Sequence, residues 1–233
     1  MRRGPTGGSA AGRHGRTPMQ LPDERAALVD YCLKMQADDL TVGTSGNLSI
    51  RSGHLVAITP SGVNYDELTP EAICVVDLDG TVVEADLEPS SEVPMHTSVY
   101  RATDAGAVVH THPLYCTALS VTLDEVPPVH YMIMLLGGPV RVAPYARFGS
   151  PELAQGSVDA MADRTGVLLR NHGATTYGDT MEKAYSRSLY LEWICRLYHQ
   201  ASQLGKPALL SDEQLDEVAK ALGTYGQPQR REG

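Results

Sequence analysis

The sequence predicts an α/β fold in which helices pack on a central mixed sheet. In the second half of the chain, short apolar stretches alternate with amphipathic segments, an order that is typical of helices covering a sheet. In the first half, β-type stretches follow one another across glycine-containing turns, which predicts antiparallel hairpins. The 233 residues fit one hydrophobic core. We therefore expect a single domain over residues 19–233, preceded by a disordered basic tail over residues 1–18.

The first predicted elements are a helix and two hairpins. Apolar residues recur at helical spacing over residues 22–39, and Asp23 and Glu24 fall in the first turn, where acidic side chains favour the positive end of a helix. Four β-type stretches follow, in two pairs that are joined by Ser-Gly and Asp-Gly turns: residues 47–51, 55–59, 72–77 and 81–84. These stretches predict the antiparallel part of the sheet.

Helices and strands alternate in the rest of the chain. The predicted elements are helix 93–101, strand 107–111, a helix after Pro113, strand 140–143, helix 151–162, strand 166–170 and helix 180–203. Asp179 and Glu182 are expected to cap the long helix, and Ser211 opens a final helix with a capping-box pattern. Because the chain has one Trp and one Phe, we expect a core of Leu, Val, Ile, Ala and Met.

Charge and cysteine content exclude several classes of protein. Four arginines fall within residues 1–17, so the rest of the chain carries 15 basic against 28 acidic side chains. An acidic body is a poor nucleic-acid binder. The longest apolar run, Tyr131–Leu136, is far below the ~20 residues that span a bilayer. The cysteines are widely spaced and read as buried thiols of a cytoplasmic protein: Cys32, Cys74, Cys116 and Cys195.

Three histidines fall at the ends of predicted strands. His110 and His112 are two residues apart, so both imidazoles face the same side of a strand, as two metal ligands from one element must. His172 follows the next apolar strand, and Gly173 allows a tight turn there. The alternative is a set of partly buried histidines with backbone partners. Three histidines with an open coordination position are typical of a catalytic zinc site, and we favour the metal.

Small polar loops accompany these histidines. Glu92 follows Ser90 and Ser91 at the start of a predicted helix, where a glutamate could simply be a first-turn acid. Hydroxyls and backbone N–H groups at a helix N-terminus can also bind phosphate. The loops 43–49 and 59–62 have the same small polar character. Together they suggest a phosphate held by backbone and hydroxyl donors.

The motifs TSGNLSIR, ITPSG, PSSE, VVHTH, HYMI…GG, APYARFGS and LLRNHG occur in this order. With them the chain resembles the class II aldolase (AraD-type) family over roughly Leu21 to Gly226. The resemblance implies a three-layer α/β/α fold with a mixed, mostly antiparallel sheet, and a cytoplasmic homotetramer with active sites at subunit interfaces. It also implies zinc-dependent cleavage of L-fuculose 1-phosphate, or a related ketose 1-phosphate, to dihydroxyacetone phosphate and an aldehyde such as L-lactaldehyde.

Each functional residue of the family has a counterpart here, as the resemblance implies. His110, His112 and His172 bind one zinc per subunit, and Glu92 is the acid/base that also approaches the metal. Tyr131 of a neighbouring subunit handles the proton on the aldehyde oxygen. Phe148 and Tyr225 lie near the substrate. The phosphate-binding positions are Gly46, Asn47, Ser61, Gly62, Ser90 and Ser91.

The chemistry is consistent with these roles. Retro-aldol cleavage leaves negative charge that a Lewis acid stabilises, and it needs one proton transfer at the C4 hydroxyl and one at C3. Few lysines are available for a Schiff base, and all fall on predicted helices or in the C-terminal loop: Lys34, Lys183, Lys206 and Lys220. A metal is the better candidate.

The same fold serves other functions, which stay open as alternatives. A sugar-phosphate epimerase of the family usually carries Asp at the position of Glu92. A dehydratase of a methylthiopentulose 1-phosphate shares the zinc and the glutamate. A scaffold of the adducin kind has no reason to keep the three histidines. Met134-Leu135-Leu136 and Arg147 depart from the family pattern near the aldehyde end of the site, so the aldehyde is not determined.

Overall fold

The computed structural model describes residues 18–223. The predicted disorder of residues 1–17 and the predicted role of Tyr225 lie outside this range. Within this range there are six α-helices: α1 (Pro22–Ala37), α2 (Val93–Ala102), α3 (Leu114–Ser120), α4 (Pro151–Ala160), α5 (Met181–Leu204) and α6 (Asp212–Leu222). The strands are β1 (Asn47–Ser52), β2 (Leu55–Ile58), β3 (Cys74–Asp77), β4 (Val82–Glu84), β5 (Ala107–Thr111), β6 (Glu125–Val126), β7 (Val140–Ala143), β8 (Gly166–Leu169) and β9 (Gly173–Gly178).

The strands form one mixed sheet in the order β4-β3-β2-β1-β5-β9-β8-β7-β6. Every neighbouring pair is antiparallel except β7 and β8, which are parallel. The predicted mixed, mostly antiparallel sheet is therefore confirmed. Strand β5 lies in the middle, between β1 and β9, so the residues at its end lie deep inside the molecule.

Helices cover both faces of the sheet, which confirms the three-layer α/β/α architecture. Along β5, Val108 packs with α2 and α4 on one face, while Ala107 and Val109 pack with α1 and α5 on the other. A further apolar cluster joins α3, α5 and α6 to β8. The four cysteines are buried and unpaired, as predicted, and Phe148 and Trp193 are exposed, so neither belongs to the core. None of the helices between residues 18 and 223 is long and apolar enough to span a membrane.

Strand β9 is the main element that the sequence did not predict. Residues Gly173–Gly178 consist of small and hydroxyl side chains between two glycines, a composition that reads as a loop. The turn expected at Gly173 is instead the start of this strand, which pairs with β8 and β5. The hairpin turns at Asn171, whose φ of 56° is left-handed. Pairing with a strand on each side, rather than the local propensity of its residues, makes this segment a strand.

Some helix ends also differ from the prediction. Thr180 caps α5, since its side chain accepts from the Lys183 N–H, whereas Asp179 forms an ion pair of 2.6 Å with the Lys183 ammonium. The predicted cap by Asp179 is therefore wrong. A short 3₁₀ helix precedes β3, so that this strand begins at Cys74 instead of residue 72. The capping box of Ser211 with Gln214 is present as predicted.

A buried arginine fastens α1 to the sheet. The Arg25 side chain is 1% exposed and donates to the carbonyls of Gln20, Pro70 and Ile73. Its Nη2 lies 2.7 Å from a carboxylate oxygen of Glu84 on β4. Through these contacts Arg25 connects three chain segments: α1, the residues before β3, and β4.

Replacing Arg25 with Met should lower the free energy of unfolding by about 3 kcal/mol, because buried carbonyls lose their donor. Urea denaturation followed by circular dichroism measures this. Lys34→Met on the same helix is the control. The Lys34 ammonium is exposed and lies 4.3 Å from the centroid of the Tyr31 ring, so its loss should cost less than about 1 kcal/mol. Equal destabilisation by both variants would contradict the assigned role of Arg25.

Candidate metal centre

Strand β5 delivers two of the predicted histidines. His110 is fully buried, and its Nδ1 lies 3.0 Å from the Ala174 carbonyl oxygen and 3.1 Å from the Thr175 hydroxyl. A carbonyl oxygen only accepts, so Nδ1 carries the proton and Nε2 presents a lone pair to the site. His112 faces the same side, and its Nε2 lies 2.9 Å from that of His110. This confirms that the two imidazoles share one face.

The turn between β8 and β9 delivers the third histidine. The ring centroid of His172 lies 4.9 Å from that of His110 and 4.8 Å from that of His112. Gly173 makes this approach possible, since a Cβ there would lie 2.3 Å from the Thr111 carbonyl oxygen. The glycine after His172 thus allows β9 to pack against the end of β5 and brings the third imidazole to the other two.

Glu92 immediately precedes α2 but does not cap it through its side chain. Its carboxylate points into the histidine cluster. Oε2 lies 3.0 Å from Nε2 of His110 and accepts a hydrogen bond of 2.9 Å from Asn47, while Oε1 lies 3.6 Å from Nε2 of His172. The ordinary interpretation of Glu92 as a capping acid is therefore wrong.

The four side chains fit a divalent metal ion. Their ligand atoms all lie within 4.8 Å of one another. Oε1 of Glu92 is buried and has no hydrogen-bond partner among residues 18–223. The Nε2 atoms of His110 and His112 are close enough to bring two lone pairs together. A cation satisfies all of these acceptors at once, and three imidazoles with one carboxylate are ligands that zinc accepts.

Burial keeps His112 and His172 neutral. It lowers the pKa of His112 to about 3 and that of His172 to about 4, and positive charge on neighbouring imidazoles adds to the effect. Burial acts to raise the pKa of Glu92. The proximity of His110 and the hydrogen bond from Asn47 outweigh it and hold this pKa well below its usual range. Near neutral pH, His112 and His172 are therefore unprotonated and Glu92 is ionised.

The metal cluster opens into a cavity of about 310 Å³. The cavity brings together Glu92, His112, His172 and all six predicted phosphate-binding positions, which are Gly46, Asn47, Ser61, Gly62, Ser90 and Ser91. Gly46 must be a glycine, because its φ is 82° and a Cβ would lie 2.9 Å from the His110 carbonyl oxygen. Small residues in this loop thus let the cavity reach the metal ligands.

Sequence reasoning missed some residues of the cavity and placed others correctly. Tyr145 and Asn171 line it; the only signal for them is that they fall within the motifs APYARFGS and LLRNHG. Phe148 lines it too, and is 58% exposed. A contact of Phe148 with substrate stays a prediction.

Two predicted site residues of the described chain do not line this cavity: His110, which is buried behind it among the metal ligands, and Tyr131, which lies elsewhere. Tyr131 is 48% exposed and stacks on His130, with 4.5 Å between ring centroids. The adjacent Met132 and Trp193 line a separate, more apolar groove of about 800 Å³, which contains none of the predicted site residues. The contribution of Tyr131 from a neighbouring subunit stays a prediction.

Comparisons with known proteins agree with this geometry. The chain is 40% identical over 212 residues to the 5-deoxy-D-ribulose 1-phosphate aldolase of Bacillus thuringiensis, with 90% of this chain and 100% of that relative covered. It is 38% identical over 202 residues to the L-fuculose phosphate aldolase of Escherichia coli K12, with coverage of 85% and 94%.

A solved structure of an L-fuculose 1-phosphate aldolase superimposes with a TM-score of 0.84 at 37% identity, covering 91% of this chain and 100% of that one. Residues 26–199 match the family described as Class II Aldolase and Adducin N-terminal domain. The matched residues include the three histidines, Glu92 and the loops of the cavity. The chain therefore belongs to the class II aldolase and adducin N-terminal domain family.

Proposed function

We propose that this protein is a zinc-dependent aldolase that reversibly cleaves L-fuculose 1-phosphate, or a closely related deoxyketose 1-phosphate, to dihydroxyacetone phosphate and a short aldehyde. One observation carries the proposal: the carboxylate of Glu92 and three imidazoles converge at the end of a cavity lined by small polar loops. Two relatives support this choice of substrate class, since they act on 5-deoxy-D-ribulose 1-phosphate and on L-fuculose phosphate.

The loops of the cavity bind the phosphate. Ser90 and Ser91 precede α2, whose positive end favours an anion, and Ser61 adds a hydroxyl from the turn after β2. Among the residues of the described chain that line the cavity, none is an arginine or lysine. The phosphate is therefore held by backbone N–H groups and hydroxyls, and the sugar carbons extend from it toward Glu92.

Tyr131 and Glu92 each carry out one of the two proton transfers, and the metal stabilises the charge between them. A zinc ion on His110, His112 and His172 supplies the Lewis acid that stabilises negative charge on the substrate oxygens. As the C3–C4 bond breaks, its electron pair stays with C3, and the C4 hydroxyl proton leaves to solvent through the hydroxyl of Tyr131 of a neighbouring subunit. Glu92, which is ionised in the resting site, takes up a proton from solvent and delivers it to C3, which completes dihydroxyacetone phosphate. This use of Tyr131 requires an oligomer, and we propose a cytoplasmic homotetramer.

Release of dihydroxyacetone phosphate, measured with a coupled dehydrogenase, tests the proposed function. Both L-fuculose 1-phosphate and 5-deoxy-D-ribulose 1-phosphate should be cleaved, and chelation should abolish the release until zinc is restored. Acetaldehyde is the second product from the pentulose and L-lactaldehyde from the hexulose. Metal-loaded protein that releases no dihydroxyacetone phosphate from either compound would exclude the aldolase, and an epimerase or dehydratase assay on pentulose phosphates would follow.

His112→Ala should leave the protein with less than a tenth of the wild-type zinc content after dialysis, because the cluster loses one of its neutral nitrogen ligands. Metal analysis by mass spectrometry measures this. His54→Ala is the matched control, since His54 is exposed in the turn between β1 and β2 and should not change the metal content. A full complement of zinc in His112→Ala would show that the ligand assignment is wrong.

Glu92→Gln should reduce kcat by a factor of about 10²–10⁴, because the amide cannot transfer the proton to C3. The metal content should remain, since the three histidines are intact. The matched control is Glu88→Gln, an exposed glutamate four residues earlier, which should retain wild-type kcat. If Glu92→Gln kept more than a tenth of the wild-type kcat, Glu92 would not be the residue that transfers the proton to C3.

A further inference from the structure

A chain of buried polar side chains leads away from Glu92 into the core. His96 lies one turn after Glu92 on α2 and is fully buried. Both of its ring nitrogens have partners: Nε2 lies 2.6 Å from Oδ1 of Asn47, and Nδ1 lies 2.6 Å from the Ser49 hydroxyl. The Ser49 hydroxyl also lies 2.7 Å from that of Tyr100. No predicted function uses His96, Ser49 or Tyr100.

The donor and acceptor groups of these side chains determine the direction of every hydrogen bond in the series from Tyr100 to Glu92. The ionised Glu92 only accepts, so the Asn47 group 2.9 Å from it is the NH₂, and Oδ1 of Asn47 faces His96. Nε2 of His96 must then donate, and Nδ1 must accept from Ser49. Because that bond uses the only proton of Ser49, Tyr100 donates to Ser49. All four bonds point toward Glu92, and bonds in such a series strengthen one another.

The neutral form of His96 is the one that this arrangement requires. Burial lowers its pKa to about 3, so the ring carries a single proton at neutral pH. Asn47 lies on β1 with 7% of its surface exposed. The acceptor oxygen of its side chain, Oδ1, receives its hydrogen bond from Nε2 of His96. Without a donor at that position, the amide of Asn47 could rotate and turn an oxygen toward the carboxylate of Glu92.

We propose that His96 is a positioning residue: it locks the amide of Asn47 so that its NH₂ holds Oε2 of Glu92 and directs the carboxylate at the metal ligands. The consequence for kcat rests on the proposed aldolase function, whereas the consequence for metal affinity does not. The His96 side chain does not line the cavity and hydrogen-bonds to none of the metal ligands, so its effect on Glu92 passes through Asn47.

Two polar substitutions of His96 separate this role from a general contribution to the core. The Gln amide can reach the position of Nε2 and keep a donor to Asn47, whereas the shorter Asn amide reaches the position of Nδ1 and keeps only the bond to Ser49. His96→Asn should lower both kcat and zinc affinity by ~10-fold, and His96→Gln should lower each by less than threefold. Zinc affinity is measured by competition with a chromogenic chelator, and thermal unfolding confirms that both variants fold.

A double-mutant cycle with Glu92→Gln tests whether His96 acts through Glu92. If it does, His96→Asn adds no further loss of kcat to Glu92→Gln. Additive losses would overturn the proposal, as would a folded His96→Asn with wild-type kcat and zinc affinity. If His96→Asn does not fold, His96→Gln decides, because a tenfold loss in that variant would show that a donor to Asn47 is not what matters. If the wild type cleaves neither sugar phosphate, the difference in zinc affinity still tests His96.

Discussion

The structure depends on bringing four electron-pair donors, three imidazoles and one carboxylate, within 4.8 Å of one another in a largely buried place. Such a cluster is unfavourable by itself, because the acceptor atoms lose water and face each other. A divalent cation makes the cluster favourable, because it can accept an electron pair from each of the four ligands. The surrounding fold must therefore hold the ligands in place against their mutual repulsion, and the hydrogen bonds of His110 to Ala174 and of Asn47 to Glu92 do so.

The sheet order explains how the ligands meet. Strand β5 supplies His110 and His112 from the middle of the sheet, and its neighbours β1 and β9 supply Asn47 and the residues that follow His172. Glycines at positions 46 and 173 allow these backbones to approach, since a Cβ at either would collide with a carbonyl oxygen of β5. Helix α2 then begins at the same end and aims Glu92 inward. Three sequence-distant segments thus converge because one strand lies between the other two.

The two ends of the cavity differ in burial. The metal ligands are buried or half-buried, whereas Tyr145 and Phe148 at the mouth of the cavity are exposed. Exposed side chains can change without loss of stability. In the proposed reaction, a change there would alter the fit of the aldehyde, and a single methyl or hydroxyl group is worth only ~1–3 kcal/mol in discrimination.

Local patterns in the sequence predicted the helices with strong periodicity and caps, the two hairpins, a mixed sheet and the grouping of the three histidines, and the family motifs added Glu92. These features are encoded locally, by spacing along one helix or strand and by motifs a few residues long. Only the tertiary structure decided that Gly173–Gly178 is a strand, that Arg25 is buried and that Asn47 connects Glu92 to His96. Each of these depends on partners tens of residues away, and no local pattern can specify which distant atom a buried polar group or strand will meet.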